Sequence, residues 1–514
     1  MIDDLSRRRL LAGAGVLASG VALGGVAGAS RGADANDADA VDELPLRWNR
    51  TYSDATYNGA TSVVEGDDGL VVLGQSGGQP TGIPGWLFGA DATSGDGEWM
   101  ETIANEESQR RPTFQDHVPA VDGDGYALLG MAAQSGTVAF VRTDADGAIQ
   151  WWQTYESDAQ DGSGALLARD VIASGDGYVI AGAEVRSGSA SGLVVRVGPE
   201  GDERSRTRLF ADQQSELLSV VSDGDGYVGT AAVQVSSGGQ TSVRSVVFRA
   251  DANDEIQWQE TFTAPNDGNA LAQNQLVDIA PAGEGYVAAG FAASRSLDTF
   301  DGWVLSVDAS GSQRATRRLS PQPATRFSAV ADTADGTVVA GQGGESATAQ
   351  TGVGVVGELG DGLEANWSRT VSVGATNNVR DVIGTADGGV ALAGITQYQS
   401  QSADPRSEAW LVKLGGDDAP QVTATAPGTD TSSTATPSPT ATATPSPTPT
   451  ATPSPTPEPT DDATATATPT ATVPETAGPD PTETTAGDGP GFGVGAALAA
   501  LGGTALYERV RDED

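Results

Sequence analysis

The chain has 514 residues with no Cys, one His and a single Lys, and its 69 acidic residues outnumber 28 basic ones, for a formal net charge of −41. Without clustered Lys and Arg there is no surface for a phosphate backbone, which excludes nucleic acid as a partner. Without Cys or a second His, disulfides, thiol catalysis and zinc sites built from thiolates or paired imidazoles are excluded too. The hydrophobic fraction of 38%, with 68 Gly beside it, still suffices for a buried core.

At the N-terminus, Arg7 and Arg8 stand before an uncharged run of small residues that ends at Ala29. This is the n-region and h-region of an export signal, with cleavage expected between Ala29 and Ser30. The adjacent arginines resemble the twin-arginine signal, which implies that residues 1–29 direct export of an already folded chain through its own machinery.

Residues 42–418 repeat one pattern: an Asp-Gly pair, then a short apolar strand that closes on a small residue. It runs Asp68-Gly69 to Gly74, Asp124-Gly125 to Gly130, Asp176-Gly177 to Gly182 and Asp225-Gly226 to Ala231. It continues as Glu284-Gly285 to Gly290, Asp335-Gly336 to Gly341 and Gly388-Gly389 to Gly394. Successive copies are 49 to 59 residues apart, the length of a four-stranded propeller blade. Ahead of each turn a first strand is predicted at 62–65, 117–121, 170–173, 218–221, 277–280, 328–331 and 380–383. The closing Gly is expected to permit close approach near the axis. A third strand follows each copy, clearest at 85–88, 302–305 and 409–412. A fourth, often bearing Trp, is placed at 99–103, 152–155, 258–262 and 367–371, with weaker copies at 206–210 and 314–319.

The seventh copy lacks its fourth strand, and the Trp48 segment, Leu46–Tyr52, precedes the first copy. The expected fold is therefore all-β: a seven-bladed β-propeller closed by hydrogen bonds from an N-terminal strand. The repeats resemble the Asp-Gly-rich propeller repeats of secreted bacterial and archaeal proteins and, more distantly, kelch repeats.

Chemistry is sparse. Gly74-Gln75-Ser76-Gly77-Gly78 has the nucleophile-elbow spacing, but Pro80, Gly82 and Pro84 deny it the helix that must follow. His117 is expected in a strand beside Asp116, facing solvent or a strand end. Asp122/Asp124, Asp144/Asp146 and Asp223/Asp225 fit turn chemistry, with weak Ca²⁺ binding as the alternative; no catalytic residue, metal ligand or other cofactor is assigned. The stretch from Ala90 to Trp99 resembles the tryptophan-docking repeat of quinoprotein dehydrogenases, although those have eight blades and a vicinal Cys pair. Blade-against-blade packing is expected of these Trp residues. Asn49-Arg50-Thr51 and Asn366-Trp367-Ser368 are N-glycosylation sequons at Asn49 and Asn366.

Residues 419–489 form a Thr/Pro-rich stretch without aromatic residues, expected to be a disordered, extended stalk suited to O-glycosylation. Pro490-Gly491-Phe492 then opens an apolar stretch to Leu506, a short helix of about 22 Å against a hydrocarbon core of roughly 30 Å. Residues 490–514 resemble the PGF-CTERM sorting signal of archaeal surface proteins, though the acidic end departs from its usual basic terminus. That resemblance implies cleavage by an archaeosortase and replacement of the helix by a lipid. The acidic, Lys-poor composition resembles that of haloarchaeal proteins, in which concentrated salt screens self-repulsion. The function expected is a lipid-anchored surface module on the outer face of the cytoplasmic membrane that binds an extracellular ligand, glycan or protein. The competing class is a propeller enzyme, either a quinoprotein-like oxidoreductase or a polysaccharide-cleaving enzyme.

Overall fold

Each repeat is a four-stranded antiparallel sheet in the computed structural model, and the seven sheets are blades 1 to 7 in chain order. The structure describes residues 44–416 except 78–83, 106–111, 133–135, 160–163, 238–239, 267–270, 295–298, 335, 347–351 and 399–405. The export signal, the stalk and the sorting motif at Pro490, Gly491 and Phe492 lie outside the described residues. Among the described residues every regular element named is a strand.

The blades span 57–103, 113–155, 165–209, 215–262, 271–319, 326–371 and 376–414. Within each, strands pair in sequence order, so the first strand is one sheet edge and the fourth the other. First strands of neighbouring blades pack on one another, which sets them around a common axis. Blade 7 takes its fourth strand from Leu46–Tyr52, antiparallel to Arg406–Leu414, with Trp48 opposite Lys413 and Thr51 opposite Trp410. The expected closure is therefore the observed one.

The same strand also bolts blade 7 to blade 1. Buried Trp48 donates its Nε1–H to the Ala92 carbonyl at 3.0 Å, and the Tyr52 hydroxyl donates to the Gly95 carbonyl at 2.6 Å. A β-carbon on Gly95 would run into the Trp48 indole. The arrangement recurs: Trp99 lies on Gly147, Trp151 on Gly201 and Trp258 on Gly311, each Gly in the next blade. Tyr155 repeats the Tyr52 bond, donating to the Gly201 carbonyl at 2.8 Å. The tryptophans therefore pack blade against blade, and the small residues of the stretch ending at Trp99 make room for a neighbour's indole.

One expectation about glycine needs correction, and the close approach expected at the closing Gly has a cause in the first strand. In blades 3, 4 and 5 the two-residue hairpin loops are Gly175-Asp176, Gly224-Asp225 and Gly283-Glu284, with φ of 60°, 61° and 55° at the glycines. Positive φ at the first loop residue is what a type II′ turn requires. The Gly after Asp instead opens the second strand, where a β-carbon on Gly177 would strike the Val197 carbonyl. The closing Gly, in turn, answers a β-bulge. Every first strand carries one, as at Ala168/Asp170 opposite Gly182 and Leu276/Asp278 opposite Gly290. The bulge tips the Leu167 and Gln275 carbonyls onto these glycines, leaving no room for a β-carbon.

The bulge also explains why the first strands were predicted too short. They run Tyr57–Gly66, Thr113–Pro119, Ala165–Ser174, Ser215–Asp223, Leu271–Ala282, Arg326–Thr333 and Thr376–Gly384. The extra residue breaks the alternation that marks a strand, so the N-terminal halves did not read as strand.

Candidate functional site: the axial ring

Seven bulges at one level place two residues per blade beside the axis. The first is the extra residue: Thr61, Gln115, Arg169, Leu218, Val277, Ser328 and Arg380 in blades 1 to 7. These side chains are half-buried, and Arg380 is exposed, although the inner strands are covered on both faces by neighbouring blades. Their remaining exposure is toward the axis and its mouth. The residue after the bulge is Asp116, Asp170, Asp278 or Asp381 in four blades, Ser62 and Ser219 in two, and Ala329 in blade 6.

These side chains join every pair of neighbouring blades. Ser62 Oγ donates to Asp116 Oδ1 at 2.9 Å, and Asp116 Oδ2 accepts the Val171 N–H at 3.1 Å. Asp170 accepts the Val220 N–H at 2.6 Å, and Ser219 Oγ donates to Asp278 Oδ1 at 2.8 Å. Asp278 Oδ2 accepts the Val330 N–H at 2.7 Å, and Ser328 Oγ donates to the Val379 carbonyl at 2.6 Å. Asp381 closes the circle by accepting the Val63 N–H at 2.8 Å. These bonds tie each first strand to the next around the axis.

Burial sets the protonation of the ring. It pushes the Asp381 carboxyl up to about 8, helped by the Asp116 and Asp278 carboxyls and opposed by the amides of Val63 and Val382. It likewise raises Asp278 to about 6. Asp170 rises well above the carboxylate range through burial and the adjoining Asp116 carboxyl.

His117 is not at solvent or a strand end. It is 1% exposed, in the position that is Val or Ile in the other six blades, with Nδ1 3.0 Å from Ser62 Oγ and Nε2 3.2 Å from the Val71 carbonyl. Burial drives its imidazole down to about 4. Sealed there, it braces the ring beneath Ser62. Ser76 of the elbow-like stretch is a strand residue, and its hydroxyl donates to Asn58 Oδ1 at 2.7 Å.

One carboxylate of each Asp-x-Asp pair is engaged locally. Arg142 pairs with Asp122 and bonds the Asp124 carbonyl, and Arg249 pairs with Asp223. Asp144 accepts the Ala148 N–H at 2.8 Å and the Gln150 amide at 3.0 Å. Among the described residues no three His, Asp or Glu side chains converge as a metal-holding group. The sequons differ in exposure. Asn49 is tied between blades, its Nδ2 donating to the Ser372 carbonyl at 3.2 Å and its Oδ1 accepting the Trp410 indole N–H at 2.6 Å. Asn366 is exposed, its amide on Glu358 at 2.8 Å.

The axial ring was missed in the sequence, although a signal was there. An acidic residue interrupts the apolar first strand 12 to 14 positions ahead of the closing Gly in four copies, as Asp170 before Gly182 and Asp116 before Gly130.

Blade count, strand order and closure define a seven-bladed propeller with an axial ring of carboxyl and hydroxyl groups. No family model and no curated protein matches the chain. Among solved structures it is similar to a neuraminidase-like protein of A/flat-faced bat/Peru/033/2010, at 9% identity over 76% of this chain and 94% of that one, with a TM-score of 0.37. It is also similar to the β-propeller domain of the Trilobed protease from Pyrococcus furiosus, at 8% identity over 70% and 94%, with a TM-score of 0.40. A third similar structure is the plexin A4 extracellular region, at 9% identity over 71% and 47%, with a TM-score of 0.44. Likeness this distant carries nothing about chemistry.

Proposed function

We propose that this is an exported, surface-tethered propeller of haloarchaeal type that binds an extracellular glycan or protein. The observation that supports binding is the contrast between the two ends of the propeller. At one end, first-to-second-strand turns are short, as between Ser174 and Gly177. At the other, second-to-third-strand connections vary in length from Arg186–Ser189 to Gly343–Val353. A rigid scaffold that presents loops of varied length is the usual layout of a recognition surface.

Tethering rests on the sequence: the Arg7-Arg8 signal, the Thr/Pro stalk and Pro490-Gly491-Phe492 before a helix too short to span comfortably. Intact-mass analysis of the membrane-extracted protein tests it. The expected species starts near Ser30 and lacks Tyr507 through Arg509; recovery of that peptide on the mature population refutes archaeosortase processing. For binding, the purified protein at molar salt is screened on glycan arrays and by pull-down. A saturable ligand left chemically unchanged is the expected result. The absorbance of a bound quinone, or shortening of a polysaccharide, would replace the binding reading with the corresponding enzyme.

A further inference from the structure

The fold treats the two sequons differently. Asn366 lies in Ala365–Val371, the fourth strand of blade 6 and therefore a sheet edge. Trp367 pairs with Glu358 and Ala365 with Leu359, so Asn366 is the extra residue of a β-bulge and stands out of the ladder, exposed. The same bulge recurs in the other fourth strands, where its extra residue is Arg47, Glu98, Gln150, Arg204, Gln257 or Arg314; blade 6 alone puts a short amide there. Ser368 is exposed as well, while Trp367 between them is buried. Among the described residues the Asn366 amide has one bond, Nδ2–H to Glu358 Oε1 at 2.8 Å, and the Ser368 hydroxyl has none. The Asn49 sequon is closed by contrast. Asn49 is half-buried in the clasp with both ends of its amide engaged, on the Ser372 carbonyl and the Trp410 indole, and the Thr51 hydroxyl bonds Tyr398.

We propose that Asn366 carries an N-linked glycan and that Asn49 carries none. This rests on the export reading above, in which the twin-arginine signal delivers a folded chain. A transferase that draws an oligosaccharide from a lipid-phosphate donor joins the sugar C1 to Asn Nδ2 and breaks the bond from C1 to the phosphate oxygen. The lipid phosphate leaves, and the displaced amide proton passes to solvent. Such an enzyme reads the Asn amide together with the Ser or Thr hydroxyl two residues on, so both must be reachable at once. In the folded blade Asn366 and Ser368 meet that condition. Nδ2 carries two protons, and replacing one leaves the other for the buried Glu358 carboxylate, so modification forfeits no buried bond. At Asn49 the sugar would have to enter the seam between blades 6 and 7 and part the clasp. A glycan on Asn366 also covers the open edge of blade 6, whose unpaired backbone groups are otherwise a template for another strand.

The test is peptide-level mass spectrometry of the native, membrane-extracted protein. Peptides spanning Asn366 should carry a sugar mass, and those spanning Asn49 should be bare. Ser368→Ala, an exposed change that spares Asn366 and its bond to Glu358, should abolish the sugar mass while keeping the wild-type melting temperature; Ser368→Thr should retain the sugar. A bare Asn366, a glycan on Asn49, or a glycan that survives Ser368→Ala overturns the inference. The N-terminal peptide separates this failure from that of the export reading. A bare Asn366 on a chain that starts near Ser30 overturns the glycan and leaves export standing, whereas an intact Arg7-Arg8 signal on an unmodified chain refutes both.

Discussion

Replacing Asp381 by Asn should remove a pH dependence that the ring imposes on the whole propeller. The carboxyl accepts the Val63 N–H from blade 1 and the Val382 N–H at 2.7 Å, and burial raises it from 3.8 to about 8. Its folded pKa lies above the unfolded one, so the folded state holds the proton more tightly. The resulting stability is complete below the unfolded pKa and is lost as pH rises through about 8. His117 works in the opposite direction, since its folded pKa of about 4 lies below 6.5, but it is silent once pH exceeds 6.5. Asp278, at about 6, has largely titrated by then. Between pH 6.5 and 8, one proton at about 1.4 kcal/mol per pH unit makes the Asp381 share of the decline about 2 kcal/mol. The substituted carboxamide has only one oxygen for two backbone N–H groups, which costs on the order of 1 kcal/mol at every pH. Because the decline begins near the unfolded value of 3.8, it already exceeds that cost by pH 6.5, so the variant should melt above wild type at pH 6.5 and by a wider margin at pH 8. Thermal melts by circular dichroism at molar salt across this range measure the effect. A wild-type midpoint that does not move, or a variant that falls just as steeply, would refute the assignment of a held proton.

Trp48→Ala should cost about 3–5 kcal/mol, through the lost indole packing on Gly95 and the lost bond to Ala92; deleting Leu46–Tyr52 should abolish the cooperative melt, and an unchanged midpoint in either rules out the strand as the clasp. Gly182→Ala should destabilise by about 1–3 kcal/mol by driving a β-carbon into the Leu167 carbonyl. The same change at Gly175, where φ is 60° and nothing lies nearby, should cost less, about 1 kcal/mol, from backbone strain alone; equal denaturant midpoints for the two would contradict the bulge explanation. With 69 acidic residues against 28 basic ones, the native circular dichroism should fade on dialysis from molar to millimolar salt. Full retention of the spectrum would detach the acidity from any salt requirement.

The number of blades and the closure were legible because they rest on local chemistry repeated along the chain. Turn residues, the apolar second strands and Trp-bearing fourth strands recur at one period, and Trp48 matches the strand missing after Trp410. Repetition lets one blade's pattern correct another's, so Arg206 and Arg314 were recognised as fourth-strand residues without any Trp. The roles of the glycines were not legible, since Gly177 and Gly182 are small because of carbonyls from the third and first strands, and sequence spacing does not reveal a close approach between strands. The axial ring was hidden for a further reason. Asp170 meets Val220, and Asp381 meets Val63 across 318 positions. Only closing the circle brings these groups together and removes them from water. The same closure turns His117 from a polar residue in a strand into a sealed core group. A carboxyl's proton depends on what surrounds it in three dimensions, so the tertiary structure decided it.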